Sequence, residues 1–181
     1  MNVHTKMIIP ALMALTLSCA EDKKEEIKVT EESVQVNSPV ADTVNNPSLV
    51  TAKSGILRLT AENGKPSGPE IKYMPEWNAF GWFTAKDSVV WEIEVPEAGQ
   101  YNVQLEWSVS DEDAGKEFIL IAPTDDLTGR VDKSGSWETF KTKDVGTIDL
   151  IKGTQKIIFR SETKFDKGAI LDLREIQLRK P

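Results

Sequence analysis

Five tryptophans and a scatter of carboxylates are the residues of this chain best suited to chemistry. Flat indole faces stack on sugar C–H groups, and recognition then needs only a few planar hydrogen-bonding neighbours. Trp77 lies in Pro75-Glu76-Trp77-Asn78, and Trp137 in Lys133-Ser134-Gly135-Ser136-Trp137-Glu138. Both stand among turn formers, where a strand pattern does not explain a tryptophan. They are the candidate carbohydrate platforms, with Asn78 and Glu138 as adjoining polar groups. The alternative is that they plug the ends of a core. Trp82, in Phe80-Gly81-Trp82-Phe83, reads as a core residue first and as a platform second. Trp91 and Trp107 fall on the apolar faces of alternating segments and are expected inside.

The acidic clusters Asp111-Glu112-Asp113 and Asp125-Asp126 are the other chemical candidates. Paired carboxylates can run glycoside hydrolysis, but only inside a shaped cleft. No pocket-forming domain surrounds these, so they read as solvated loop acids. His4 is the sole histidine and falls in the N-terminal leader described below. The processed chain would therefore lack the usual general base, most zinc sites and any Ser-His-Asp triad. Cys19 is the sole cysteine, which excludes an intrachain disulfide and Cys-rich metal sites. The formal net charge is -7, and such a surface repels phosphate backbones, so nucleic acid is not an expected partner. A non-enzymatic protein is the expectation.

Residues 1–18 have the form of a secretory signal peptide. A short basic start leads into the apolar run Met7 to Leu17, and Ser18 precedes the cut. The run is short of the roughly 20 residues that span a bilayer, and Pro10 interrupts it. Leu15-Thr16-Leu17-Ser18-Cys19 resembles a bacterial lipobox, which makes Cys19 the lipidated (palmitate-bearing) residue and the membrane a partner through that anchor. Thr16 stands where the pattern prefers leucine. Ala20-Glu21-Asp22 resembles the surface-export signal of outer-membrane lipoproteins, so the expected place is the outer membrane, facing the cell exterior or otherwise the periplasm. Residues 19–53 then form an acidic tether. From Ala20 to about Thr51 no aromatic residue appears, and so few apolar groups cannot offset the entropy of ordering.

From residue 54 to 181 the dominant period is two. Val89, Trp91, Ile93 and Val95 share one face of a segment whose other face carries Glu92 and Glu94. Pro96-Glu97-Ala98-Gly99-Gln100 supplies a turn, and Tyr101, Val103, Leu105, Trp107 and Val109 repeat the alternation. The pair reads as an antiparallel hairpin. Further short strands are expected at 56–59, 71–74, 80–83, 118–121, 127–131, 139–142, 147–150, 155–160 and 169–178. In the last, the apolar set moves from Leu171 and Leu173 to Ile176 and Leu178, which predicts a bulge near Arg174-Glu175. Many short strands and no sustained helical period make this an all-β chain, a sandwich in preference to a barrel.

Several segments occur in an order that resembles a known family. They are Gly55-Ile56-Leu57, Leu59-Thr60-Ala61, Gly68-Pro69-Glu70-Ile71-Lys72-Tyr73, Phe80-Gly81-Trp82-Phe83-Thr84, the stretch from Val90 to Tyr101, Gly135-Ser136-Trp137, Val145-Gly146-Thr147-Ile148, and Ala169 to Leu178. Together they resemble the galactose-binding-like β-sandwich modules at the C-terminal end of secreted fucosidases and sulfatases, related to family 6 carbohydrate-binding modules. The resemblance spans residues 54–181 and implies an antiparallel jelly roll that binds a glycan or recruits a partner enzyme. Where family 6 modules often carry a sugar-contacting asparagine, this chain has Ile170. The resemblance also implies a structural calcium on Asp172 and a glutamate near the first strand, here Glu62. Calcium needs six to eight oxygens, so an ion pair of Asp172 with Arg174, two residues along the same face, is the reading preferred on spacing.

Overall fold

The computed structural model describes residues 45–181. The leader, Cys19 and the tether up to residue 44 lie outside the described residues. Twelve strands form two six-stranded sheets: β1 (Val50–Thr51), β2 (Ile56–Thr60), β3 (Lys65–Ser67), β4 (Lys72–Met74), β5 (Ala79–Gly81), β6 (Ser88–Val95), β7 (Gly99–Ser108), β8 (Glu117–Ile121), β9 (Asp126–Arg130), β10 (Lys141–Leu150), β11 (Gly153–Ser161) and β12 (Asp172–Arg179). One sheet runs β1-β6-β11-β8-β9, with β3 also on β6; the other runs β10-β7-β12-β5-β4, with β2 also on β12. All pairings are antiparallel except that of β1 with β6. The all-β sandwich expected from the alternation is the observed fold.

Period-two burial builds the core. Val89, Trp91, Ile93 and Val95 on β6 and Tyr101, Val103, Leu105 and Trp107 on β7 are all buried and face each other across the sheets. That opposition overturns the expected β6–β7 hairpin. β6 pairs with β1, β3 and β11, whereas β7 pairs with β10 and β12. A turn between two fully apolar inner faces can carry the chain from one sheet to the other. Burial of both faces then prevails over local pairing. The Tyr101 hydroxyl donates to the Glu97 carbonyl at 2.7 Å and holds this crossing.

Other boundaries move for similar reasons. Val50 and Thr51, expected in the tether, form β1 against Ile93 and Glu94, so the fold begins before residue 54. Asn45 already belongs to it, its side-chain amide donating to the carbonyls of Ala61, Glu62 and Gly64. The segments 139–142 and 147–150 are one strand, β10, with a register shift between Asp144 and Gly146. β12 shows its expected irregularity between Leu173 and Glu175, after which Ile176 and Leu178 return to the core.

On β9, Gly129 lies opposite Phe118, and a Cβ there would stand 2.4 Å from the Phe118 ring. Phe118 is buried and stacks on Phe159 at 5.3 Å, so it has nowhere to go. Gly129→Ala is therefore expected to lower stability by about 1–2 kcal/mol through overpacking. The midpoint of urea unfolding measures it; an unchanged midpoint would show the ring to be free.

Candidate functional site

Three loops meet where β12 begins. The first leaves β5 through Trp82, whose backbone is left-handed at φ +52°. Strict alternation would have put residues 80 and 82 on one face. The left-handed residue shifts the phase, so Phe80 and Phe83 both enter the core and Trp82 is 56% exposed. Its first reading, as a core residue, is thereby corrected. A bulky residue at positive φ carries backbone strain, and strain of this kind gathers at functional sites. The second loop carries Trp137. The Ser108 hydroxyl donates to the Trp137 carbonyl at 2.7 Å, and Ser134 exchanges hydrogen bonds with the backbone of Val109. The third loop leads into β12 and is tied to the first where the Ile170 amide donates to the Phe83 carbonyl at 2.7 Å.

Between these loops lies a cavity of about 290 Å³ lined by Met74, Trp82, Trp137, Ala169 and Asp172. Ile170 is wholly buried in the core, and it is its neighbour Ala169 that faces the cavity. Trp137 is half-buried against the core and Trp82 is exposed with the Lys72 ammonium over its ring, so the pocket has one anchored aromatic wall and one exposed wall. Gly81 lies close beside this wall, so a larger residue there would displace the flexible end of Met74. A Cβ there would meet the Met74 side chain at 2.6–2.7 Å and Asp172 Oδ1 at 3.0 Å.

Asp172 is 9% exposed, on the pocket wall. Burial pushes its pKa up to about 7, and the charge of Glu138 adds to the shift. The expected ion pair with Arg174 does not form. The irregularity after Leu173 turns Arg174 to Glu106, at 2.9 Å, and to the Trp77 carbonyl, at 3.1 Å. Trp77 is thereby explained. It stacks on Phe140 at 6.3 Å, and the Arg174 guanidinium lies 3.4 Å from that ring's centre. Trp77 is partly exposed but does not line the pocket. Asn78 accepts the Tyr73 hydroxyl at 2.9 Å beside it.

Glu62 is exposed just after β2, and its charge raises the Tyr73 hydroxyl, after burial, the larger cause. The carboxylate that acts on Asp172 is Glu138, not Glu62. Among the described residues no group of three or more His, Cys, Asp or Glu could hold a metal. The loop acids are engaged locally, Asp113 with Lys116 and Asp125 with the Asp149 amide.

Neither a protein-family model nor a curated protein matches the sequence. Solved structures match the fold. A family 35 carbohydrate-binding module from Clostridium thermocellum has a TM-score of 0.55 at 10% identity, over 68% of this chain and 96% of that one. The C-terminal family 6 module of a marine laminarinase from Zobellia galactanivorans has a TM-score of 0.55 at 16% identity, over 69% and 99%. A family 6 module of lichenase 5A from Cellvibrio mixtus, solved with cellotriose, has a TM-score of 0.54 at 16% identity, over 68% and 96%. The chain thus has the β-sandwich fold of family 6 and family 35 carbohydrate-binding modules, as its sequence resemblance implies.

Proposed function

We propose that residues 45–181 form a non-catalytic glycan-binding module, carried on a lipoprotein leader that anchors it through Cys19 to the outer membrane for polysaccharide use. The observation that carries the binding reading is the convergence of Trp82 and Trp137 on one cavity with a carboxylate in its wall. Two indole faces provide sugar stacking, and Asp172 and Glu138 provide planar acceptors for hydroxyls. The cellotriose-bound neighbour supports the ligand class. The lipobox-like residues before Cys19 and the acidic residues after it support the anchor.

Affinity electrophoresis against a broad polysaccharide panel tests the binding. For the polysaccharide bound, Trp82→Ala and Trp137→Ala are each expected to weaken binding by about fivefold, since one stacked aromatic contributes about 1 kcal/mol. Trp77→Ala, outside the pocket, is expected to change it by less than about threefold. The reverse order would place the site on the Trp77–Phe140 cluster, and retention of none of the panel would remove the reading. For the anchor, Cys19→Ala is expected to move the protein from the membrane to the soluble fraction. Persistence in the membrane would overturn lipidation.

A further inference from the structure

Asp172 is the pocket residue that stacking does not explain. It is nine-tenths buried, it lines the cavity, and among the described residues no donor or cation bonds to its carboxylate. The fold satisfies a buried acid elsewhere. Asp87, 2% exposed, accepts from the Glu70 and Thr84 amides and the Thr84 hydroxyl. The Asp172 oxygens bond to no described residue and open onto the cavity, so the contrast marks Asp172 as an acceptor free for something that arrives.

The charged groups around it narrow what arrives. Glu138, from the loop of Trp137, adds a second negative charge, and no lysine or arginine among the described residues forms a salt bridge with it. Arg174 is committed to Glu106 and to the Trp77 carbonyl. Lys72, on β4, keeps its ammonium 5.5 Å from the centre of the Trp82 ring, so that ring already accepts a cation. A uronate or sulfate group would meet two carboxylates and is repelled. A neutral hydroxyl can donate to either carboxylate but forms no ion pair with them. An ammonium gains a charge-assisted bond to Asp172 and the attraction of Glu138, which outweigh the neighbouring Lys72 engaged on the Trp82 ring.

We propose that the pocket selects glycans bearing free amino groups, with the ammonium of a 2-amino-2-deoxyhexose on Asp172 and the sugar rings on Trp82 and Trp137. This rests on the glycan-binding reading and narrows it to a ligand class.

The test uses the full chain in detergent, titrated near neutral pH with three oligosaccharides of equal length: β-1,4-linked glucosamine, its fully N-acetylated form, and the cello-oligosaccharide. Tryptophan fluorescence and calorimetry report binding. The amino form is expected to bind at least about tenfold more tightly than either uncharged form, and this preference is expected to shrink in about 0.5 M salt. In Asp172→Asn the preference is expected to fall to about threefold or less, and in Glu138→Gln, an exposed site that does not threaten folding, to narrow. Equal affinity for the three ligands, or a preference that survives Asp172→Asn, overturns the amino selectivity and leaves glycan binding intact. Failure of all three to bind overturns the selectivity too, and the polysaccharide panel then decides separately whether the module binds glycans at all.

Discussion

Replacing Trp107 with alanine is expected to cost about 4 kcal/mol of folding stability, close to the whole margin of a marginal domain. Trp107 is 1% exposed near the end of β7, and its backbone pairs with Lys141 on one side and Leu173 on the other. Both neighbouring strands are fixed by their own ladders, so they cannot close over the space an indole leaves. The lost apolar burial therefore adds to a residual cavity. A second loss is polar. The indole N–H donates to the Asp132 carbonyl at 2.9 Å, and without it that acceptor loses its partner at the root of the loop that carries Trp137. Urea unfolding followed by circular dichroism measures the effect. Trp82→Ala is the internal control, because a residue 56% exposed is expected to change stability by less than about 0.5 kcal/mol. A loss under about 1 kcal/mol for Trp107→Ala would mean that the two sheets do not close on this side chain.

The contrast between those two tryptophans shows what the sequence makes legible. Trp91 and Trp107 stand in unbroken alternations, and alternation is a local property, so their burial follows from counting. Trp82 follows a strand of only three residues and is itself the left-handed residue that ends it. Counting by two fails there, because the phase shift is set by the need to bury both Phe80 and Phe83. The same limit applies to β6 and β7. Their inner faces are legible, but their placement in opposite sheets depends on β11 and β12, which arrive some sixty residues later in the chain. β1 and β3 are two and three residues long, and β3 contains Pro66, so neither carries a period at all. The site divides similarly. Trp137 and Asp172 are recognisable by type, one as a tryptophan among turn formers, the other as an acid between leucines. Their meeting across one cavity needs the end of β7 beside the start of β12, where Ser108 pairs with Asp172 and donates to the Trp137 carbonyl. The Arg174–Glu106 pair is not legible in sequence, because two-residue spacing points Arg174 to Asp172 and only the chain's fold brings Glu106 within reach. The bulge foreseen at that place is what separates Arg174 from Asp172.

Asp172 also makes a prediction about stability that its role in binding does not. Its folded-state pKa is raised to about 7, from an ordinary value of 3.8, by burial first and by Glu138 second. A carboxyl raised in this way holds its proton in the folded state over a range where the unfolded chain has released it. Between about pH 4 and pH 7 the folded state therefore binds more protons, and its stability falls as the pH rises. Below that range the group is neutral in both states and the penalty vanishes; above it the penalty is complete. The full shift would correspond to about 4 kcal/mol, and water entering the open side of the pocket reduces this to about 2 kcal/mol. Asp172→Asn removes the charge at nearly constant shape and is expected to stabilise the unliganded protein by about that amount above pH 7, with the advantage shrinking toward pH 4. Glu97 and Asp132, whose pKa values are lowered chiefly by hydrogen bonds from Lys180 and Lys143, give the opposite trend in both proteins and cancel in the difference. The measurement is the difference in urea-unfolding free energy between wild type and Asp172→Asn at several pH values. A difference that does not change with pH would mean that Asp172 is solvated or partnered. A variant more stable as a fold yet less able to prefer an amino sugar would tie the buried charge to recognition, since nothing in the sandwich itself requires it.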